Sequence, residues 1–386
     1  MTTLKSYQLS NVKRDLSDVL STIIADSPSF ITLFADRGRA RQTKHEWLED
    51  QLKPKKIAYS AYCNSTANDG VPGTFTVTDS TGWTIGDYVK IAGNPAIFKI
   101  ASTTSTTIVV SLVAANGGYS ALSSTGSPAT SAGTLCFVSH PVDEASSTGL
   151  EAYRQSSTEW NATQIVRRDV MLSATAASVE TYGMENVIYV QEAEALRQIA
   201  HEMNDMALFG VRSLRAAASI GTAGGLYYYG TQNTSLACAQ ANSPSISTKT
   251  LNSAAQKIVE AGGNPTVILC GTGQARVISR LYATSLHVTQ ADQVRGSYVS
   301  QIVNEATGAL MRVIVEPKLD DTEVWVIDPT GFGIVWLRNI VSSDATASNM
   351  DGQCRKIIGE LSFEFRNAKQ KLCRISGLEA AATTLA

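Results

Sequence analysis

Arg37, Arg39 and Arg41 recur at every second position, Lys44 follows, and Lys53, Lys55 and Lys56 come soon after. On a strand or an extended arm this spacing puts three guanidinium groups on one face. Such a face suits phosphate or the carboxylates of a neighbouring chain. No aromatic residues interleave the arginines to stack on bases, and the chain has no positive excess, so sequence-specific nucleic-acid reading is not expected. Salt bridges between chains are the favoured use of the patch, with weak phosphate contact second.

The other residues that carry chemistry form no recognisable constellation. The six cysteines (Cys63, Cys136, Cys238, Cys270, Cys354, Cys373) include no CxxC pair, and the four histidines (His45, His140, His201, His287) are scattered, so buried thiols are expected and neither a metal site nor a disulfide framework is. Gly221-Thr222-Ala223-Gly224-Gly225 lacks the Gly-Lys-Ser/Thr ending of a phosphate loop, and Gly271-Thr272-Gly273 lacks the third glycine of a dinucleotide fingerprint; both read as turns. There is no Gly-x-Ser-x-Gly elbow. His201-Glu202 sits among Glu192, Glu194 and Asp205 without the paired Glu-x-x-His of a di-iron bundle, so a solvated helix face is expected. No catalytic residue, metal or cofactor is assigned.

The elements that would position such groups belong to an α+β chain. With 386 residues there is material for two domains, or for one domain carrying an insertion. Lys and Arg total 32 against 34 Asp and Glu, so no field of one sign steers DNA or an anionic membrane from a distance. Met1 to Lys5 lack a signal-peptide core, and no apolar run approaches the roughly 20 residues of a membrane span. The expectation is a protein of the reducing cytoplasm with no membrane contact.

Between Ala61 and His140 the only charged residues are Asp69, Asp79, Asp87, Lys90 and Lys99. Short β-branched runs at Thr74–Val77, Tyr88–Ile91, Ala96–Ile100 and Thr107–Leu112 alternate there with turn signals, which predicts a small antiparallel β-domain inserted into a host domain. Downstream, Thr158-Glu159-Trp160-Asn161 leads into Gln164–Leu172, a strand expected to pair with the Glu46-Trp47 strand as the return arm of a long hairpin. Leu196, Ile199, Met203 and Met206 recur at helical steps, predicting an amphipathic helix from Asn186, its N-cap, to Arg215, with Gly210 marking a kink or early end. Helices at Thr250–Ala261 and Thr272–Tyr282 follow, with strands at Thr266–Cys270, Leu310–Glu316, Glu323–Ile327, Gly333–Leu337 and Glu360–Arg366.

Several short motifs, in order, resemble the major capsid proteins of tailed double-stranded-DNA bacteriophages. They are Arg14-Asp15-Leu16-Ser17-Asp18-Val19, Ser27-Pro28, Thr43-Lys44-His45-Glu46-Trp47-Leu48-Glu49-Asp50, Asn264-Pro265-Thr266-Val267-Ile268, Val315-Glu316-Pro317, Trp325-Val326-Ile327-Asp328-Pro329 and Glu360-Leu361-Ser362-Phe363-Glu364-Phe365-Arg366-Asn367. The resemblance implies a Hong Kong 97-like fold: an N-terminal arm (1–42), an extended hairpin (43–57 and 141–175), an inserted β-domain (58–140), a peripheral domain with a spine helix (176–220 and 305–386), and an axial domain (221–304, extending to about 345). Asp15 stands where the family often has Glu, and the insertion is far longer than a hairpin tip. By this resemblance the protein is no enzyme; it self-assembles through pentamers and hexamers into an icosahedral shell enclosing phage DNA, which it meets through non-specific inner-surface contacts. Scaffold, portal and decoration proteins are further implied partners, the virion is the location, and assembly takes place in the host cytoplasm. The inserted domain is expected on the outer surface, stabilising the shell or meeting another surface. Contacts between subunits are expected at Arg37, Arg39, Arg41, Glu46, Trp47, Asp50, Trp160, Arg167 and Arg168. For Trp47, an intersubunit anchor and a place in its own subunit's core are equal expectations. The alternatives are an encapsulin-like compartment around a cargo enzyme and a β-rich surface-binding protein.

Overall fold

The computed structural model describes residues 29–50, 56–64, 73–92, 96–114, 133–142, 144, 156–179, 186–217, 219–231, 238–239, 246–282, 300–305 and 307–379. The motifs at Arg14–Val19 and Ser27-Pro28, and Lys53 and Lys55 of the basic cluster, lie outside these residues. Contacts divide the chain into two compact units, Met1–Trp47 with Thr158–Ala386, and Leu48–Ser157. Among the described residues no helix is long and apolar enough to cross a membrane.

Strands β1 (Ala35–Arg39) and β2 (Lys44–Glu49) come first. The next six strands close on themselves: β3 (Lys56–Asn64), β4 (Gly73–Val77), β5 (Tyr88–Ile91), β6 (Ile97–Thr103), β7 (Thr107–Ala114) and β8 (Gly133–Ser139) form a barrel in the order β3-β4-β7-β6-β5-β8. Among the described residues, closure leaves the barrel no free sheet edge. Period-two patterning fills it, because Phe75 and Val77, Val89 and Ile91, and Phe98 and Ile100 point inward while Thr76, Lys90 and Lys99 point out. Beside the turn at Gly86, buried Asp87 receives the Thr84 amide at 2.8 Å and faces His140 Nδ1 at 2.9 Å.

The other unit continues with β9 (Ser157–Ala162), β10 (Gln164–Ser173), α1 (Ala174–Ser178), α2 (Val187–Phe209) and α3 (Leu226–Thr231). Then come β11 (Cys238–Ala239), α4 (Thr248–Glu260), β12 (Val267–Cys270), α5 (Thr272–Tyr282), β13 (Gln301–Val303), β14 (Leu310–Val315), β15 (Glu323–Ile327), β16 (Phe332–Asp344), β17 (Gly352–Phe365), α6 (Ala368–Lys371) and β18 (Leu372–Ser376). One sheet has the order β1-β16-β17-β10, the other β11-β18-β15-β12-β14-β13, and β2 pairs with β9. Helix α2 packs against β10 and β17, with Ile199, Met203, Met206 and Ala207 in the core that Val166, Leu361 and Phe363 share. In the six-stranded sheet, Val267 and Leu269 of β12 face that core. Ile268 and Cys270 face a second core built with Leu251, Ala255 and Ile258 of α4. Burial on both faces explains the unbroken apolar run Val267–Cys270.

Several expectations are changed or refined. The return strand beside β2 is β9, whereas Gln164–Leu172 pairs antiparallel with β17, Gln164 opposite Leu361. Helix α2 takes the early end expected at Gly210 rather than running on to Arg215: it stops at Phe209, and the chain turns back at Gly210, whose carbonyl accepts the Gly225 amide at 2.8 Å. At the other end of α2, Asn186 occupies the N-cap position without a side-chain capping bond. The strands expected at Gly333–Leu337 and Glu360–Arg366 form one long hairpin, its ladder running out past Val341 opposite Ile358 to Asp344 opposite Arg355. A domain boundary near residue 305 would cut the six-stranded sheet, which joins β12 to β14, β15 and β18.

Candidate functional site

At the end of β17, Leu361, Phe363 and Phe365 enter the core, so period two places Glu360, Ser362 and Glu364 on the opposite face. An alternating surface strand would leave that face in water. Here it is covered, with Glu360 3% and Glu364 2% exposed. The cover comes from the segments that lead into and out of the β2–β9 ribbon. Ser362 Oγ donates to the Ala162 carbonyl at 3.0 Å, Thr163 Oγ1 to Glu360 Oε1 at 2.8 Å, and the Thr163 amide to the Thr43 carbonyl at 2.8 Å.

Buried carboxylates need cations or donors to offset the lost hydration. Glu364 has His45 Nε2 at 2.5 Å, Arg366 Nε at 2.7 Å and Arg37 Nε at 3.6 Å. Burial pushes the Glu364 carboxyl up, but the hydrogen bonds from His45 and Arg366, together with their charges, hold it below its ordinary value. Glu360 receives Arg338 Nε at 3.1 Å and Arg215 Nη2 at 3.2 Å. Each carboxylate therefore has two arginines near it, and Arg215, Arg338 and Arg366 keep their heads partly in water. The arrangement is a clamp with a positive rim.

Asn161 is the uncharged part of the clamp. Its Nδ2 donates to the carbonyls of Gly224 (3.0 Å) and Phe363 (2.7 Å), and its Oδ1 accepts the amides of Gly224 (2.8 Å) and Ala162 (2.9 Å). One side chain thus ties β9 to β17 and to the loop after α2. Beside it, Arg212 lies 4.0 Å from the Trp160 ring centre, donates to the Trp160 carbonyl at 2.8 Å, and approaches Glu159 at 3.5 Å. Tyr229 Oη also donates to that carbonyl at 2.9 Å, and burial raises its phenol pKa to beyond the ordinary tyrosine range. At the end of the first segment, Ser29 Oγ donates to Glu316 Oε2 at 2.6 Å, and Asn204 Oδ1 of α2 accepts the amides of Phe30 and Ile31.

The structure brings together only some of the residues expected at subunit contacts. Arg37 reaches Glu364 and the Thr330 carbonyl. Gly38, at φ +94°, interrupts β1, and the register with β16 shifts between Asp36 and Arg39, so the alternation of Arg37, Arg39 and Arg41 does not persist as one regular face. Arg39 and Arg41 are exposed, with no ion pair among the described residues. Glu46 contacts Lys44, and Asp50 is exposed. Trp47 is 4% exposed and packs beside Tyr229 in the core of its own chain, the second of the two places expected for it. Trp160 is half-buried under Arg212. Arg167 pairs with Asp169 and Arg168 with Glu202 at 3.0 Å.

Sequence reasoning missed His45, Asn161, Glu360 and Glu364. The alternation Glu-x-Ser-x-Glu was readable, but it signals a wet face, and only the tertiary cover turns it into a buried clamp. Among the described residues, no group of three or more His, Cys, Asp or Glu side chains is placed to hold a metal.

The family model described as SU10 major capsid protein matches residues 1–379. Among solved structures, the capsid asymmetric unit of cyanophage A-1(L) is similar with a TM-score of 0.56 at 10% identity, over 97% of this chain and 98% of that one. The capsid of the native GTA particle gives 0.52 at 8% identity, over 97% and 98%. No curated protein matches the chain.

Proposed function

The chain belongs to the SU10 major capsid protein family, with the Hong Kong 97-like phage capsid fold, and from that premise we infer how it builds its shell. The protein is a structural component of a phage capsid. Copies assemble through pentamers and hexamers into an icosahedral shell that encloses double-stranded DNA in the virion, formed in the host cytoplasm. Its work is mechanical rather than catalytic.

The observation that carries this reading is the clamp. The β2–β9 ribbon corresponds to the extended hairpin of such proteins, and a hairpin that bears load between neighbours needs a rigid root. Glu360, Glu364 and Asn161 supply one, because every buried acceptor in it has a donor. The sheet carrying β16 and β17, with α2 as spine helix, serves as the peripheral domain, and the six-stranded sheet with α4 and α5 serves as the axial domain. Arg39 and Arg41 bridge to carboxylates of a neighbouring copy, and contacts with packaged DNA are non-specific. The barrel of the Leu48–Ser157 unit stands on the outer surface and strengthens the shell or meets a decoration protein. Scaffold and portal proteins are further partners. Family membership favours the genome-enclosing shell over an encapsulin-like compartment.

Sedimentation of the purified chain tests the assembly: fast particles are expected, and a monomer that persists even with the scaffold co-expressed would refute it. Replacing Ala61–His140 with a short Gly/Ser linker tests the barrel. Shells of unchanged thermal stability would exclude a strengthening role.

A further inference from the structure

Strand β10 is an edge. It pairs with β17 on one side, and among the described residues no backbone group of its other side has a partner. The parity of the free groups follows from the register. The Ala174 amide donates to Asp351, continuing the pairing of Ser173 with Gly352, so even-numbered residues exchange hydrogen bonds with β17. Ile165, Arg167, Asp169, Met171 and Ser173 therefore direct their amides and carbonyls outward. A ten-residue open ladder in a protein that works at shell density is a pairing site unless something blocks it.

The side chains at the outward positions are self-complementary. Ile165, Arg167, Asp169 and Met171 share one face and are all exposed, Ile165 by 40% and Met171 by 62%. In an antiparallel pair of two β10 strands related by a twofold axis at Arg168, residue i meets residue 336 − i. Ile165 then meets Met171 of the second copy, and Arg167 meets Asp169. Both are odd-numbered pairs, so each exchanges two backbone hydrogen bonds.

We propose that β10 pairs with β10 of a second copy in this register, joining two four-stranded sheets into one of eight strands. The charge pattern favours this register because it makes two Arg167–Asp169 contacts across the axis against the one Arg168–Arg168 opposition, and a shift by two residues loses both contacts. A shift by two residues places Arg167 opposite Arg167, or Asp169 opposite Asp169, and like charges directly opposed are unfavourable. Within one chain Arg167 and Asp169 already pair, which keeps the edge soluble until a second copy offers the same two charges in exchange. Arg168 meets its own copy at the axis, where Glu202 at 3.0 Å offsets each charge. The inference rests on the shell-forming function only for the presence of the second copy.

Cysteine cross-linking within assembled shells tests it. Residues 165 and 171 lie about 20 Å apart along one strand, too far for a bond within a chain, whereas paired across the axis their Cα atoms come within disulfide range, about 5.5 Å. Because Cys354 faces Met171 across the β10–β17 ladder of the same chain, the pair is placed in a Cys354→Ser background; those Ile165→Cys/Met171→Cys shells should give a covalent dimer on a non-reducing gel, and neither single variant should exceed the Cys354→Ser parent. As a second measurement, Arg167→Asp and Asp169→Arg should each lose particles at unchanged melting temperature, and the double exchange Arg167→Asp/Asp169→Arg should recover them. Shells without cross-linked dimer, or double-exchange particles no better than the singles, would overturn the pairing and leave the shell function intact. Failure of the wild-type chain to form particles would count against the function first, and against the pairing with it.

Discussion

His45 Nε2 stands 2.5 Å from Glu364 Oε1, joining β2 to β17 across 319 residues of sequence. The contact fixes the start of the ribbon to the long hairpin of β16 and β17.

Its pH dependence follows from the direction of the Glu364 shift. The folded carboxyl is held below its ordinary value, so the ionised form stabilises the fold above the unfolded glutamate value, about 4.3, and that contribution is lost as pH falls through the lowered folded value. Urea denaturation is expected to show wild-type stability falling more steeply than that of Glu364→Gln below about pH 4. At neutral pH the variant should be about 2 kcal/mol less stable. Parallel curves over the acid range would refute the assignment.

Asn161→Ala removes four hydrogen bonds and leaves backbone groups of Gly224 and Phe363 buried without partners. The expected loss is about 2–4 kcal/mol, read from the denaturation midpoint. Asn161→Asp keeps the acceptor but not the donor, so it should recover only part.

Trp47→Ala opens a cavity in the main core. The expected cost is about 3–5 kcal/mol, seen as a lower melting temperature and a lower soluble yield. A folded monomer of wild-type stability that merely fails to assemble would show Trp47 to be an interface residue after all.

At Gly210, the C-cap of α2 with ψ 141°, a methyl group would restrict the unfolded chain and so gain about 0.4–1 kcal/mol. It would also sit 2.3 Å from the Ala223 carbonyl oxygen and 2.5 Å from that of Met206, both of them backbone atoms. Crowding wins, so Gly210→Ala should lose about 1–3 kcal/mol in calorimetry.

Much of this was legible in the sequence because periodicity reports burial directly. Ile199, Met203 and Met206 marked the buried face of α2, although Leu196 of the same pattern is 42% exposed, and the run Thr266–Cys270 marked a strand, which the fold buries on both faces. Tertiary pairing was less legible. Nothing local says that the Glu46-Trp47 strand chooses Thr158–Trp160 over Gln164–Leu172, since both alternate; the choice is made by β17, whose long ladder takes β10 for itself. The clamp stayed hidden for a related reason. Glu360 and Glu364 have the pattern of an exposed face, and their burial depends on Arg37, His45, Thr163, Arg215 and Arg338, distant in sequence. The basic alternation misled because Gly38 turns the chain between Arg37 and Arg39.

The most direct test of the account is negative-stain electron microscopy of the purified full-length chain, alone and with its scaffold partner. Closed icosahedral shells, or hexamer and pentamer rings on the way to them, are the expected result. A uniform monomer in both preparations would contradict the shell function.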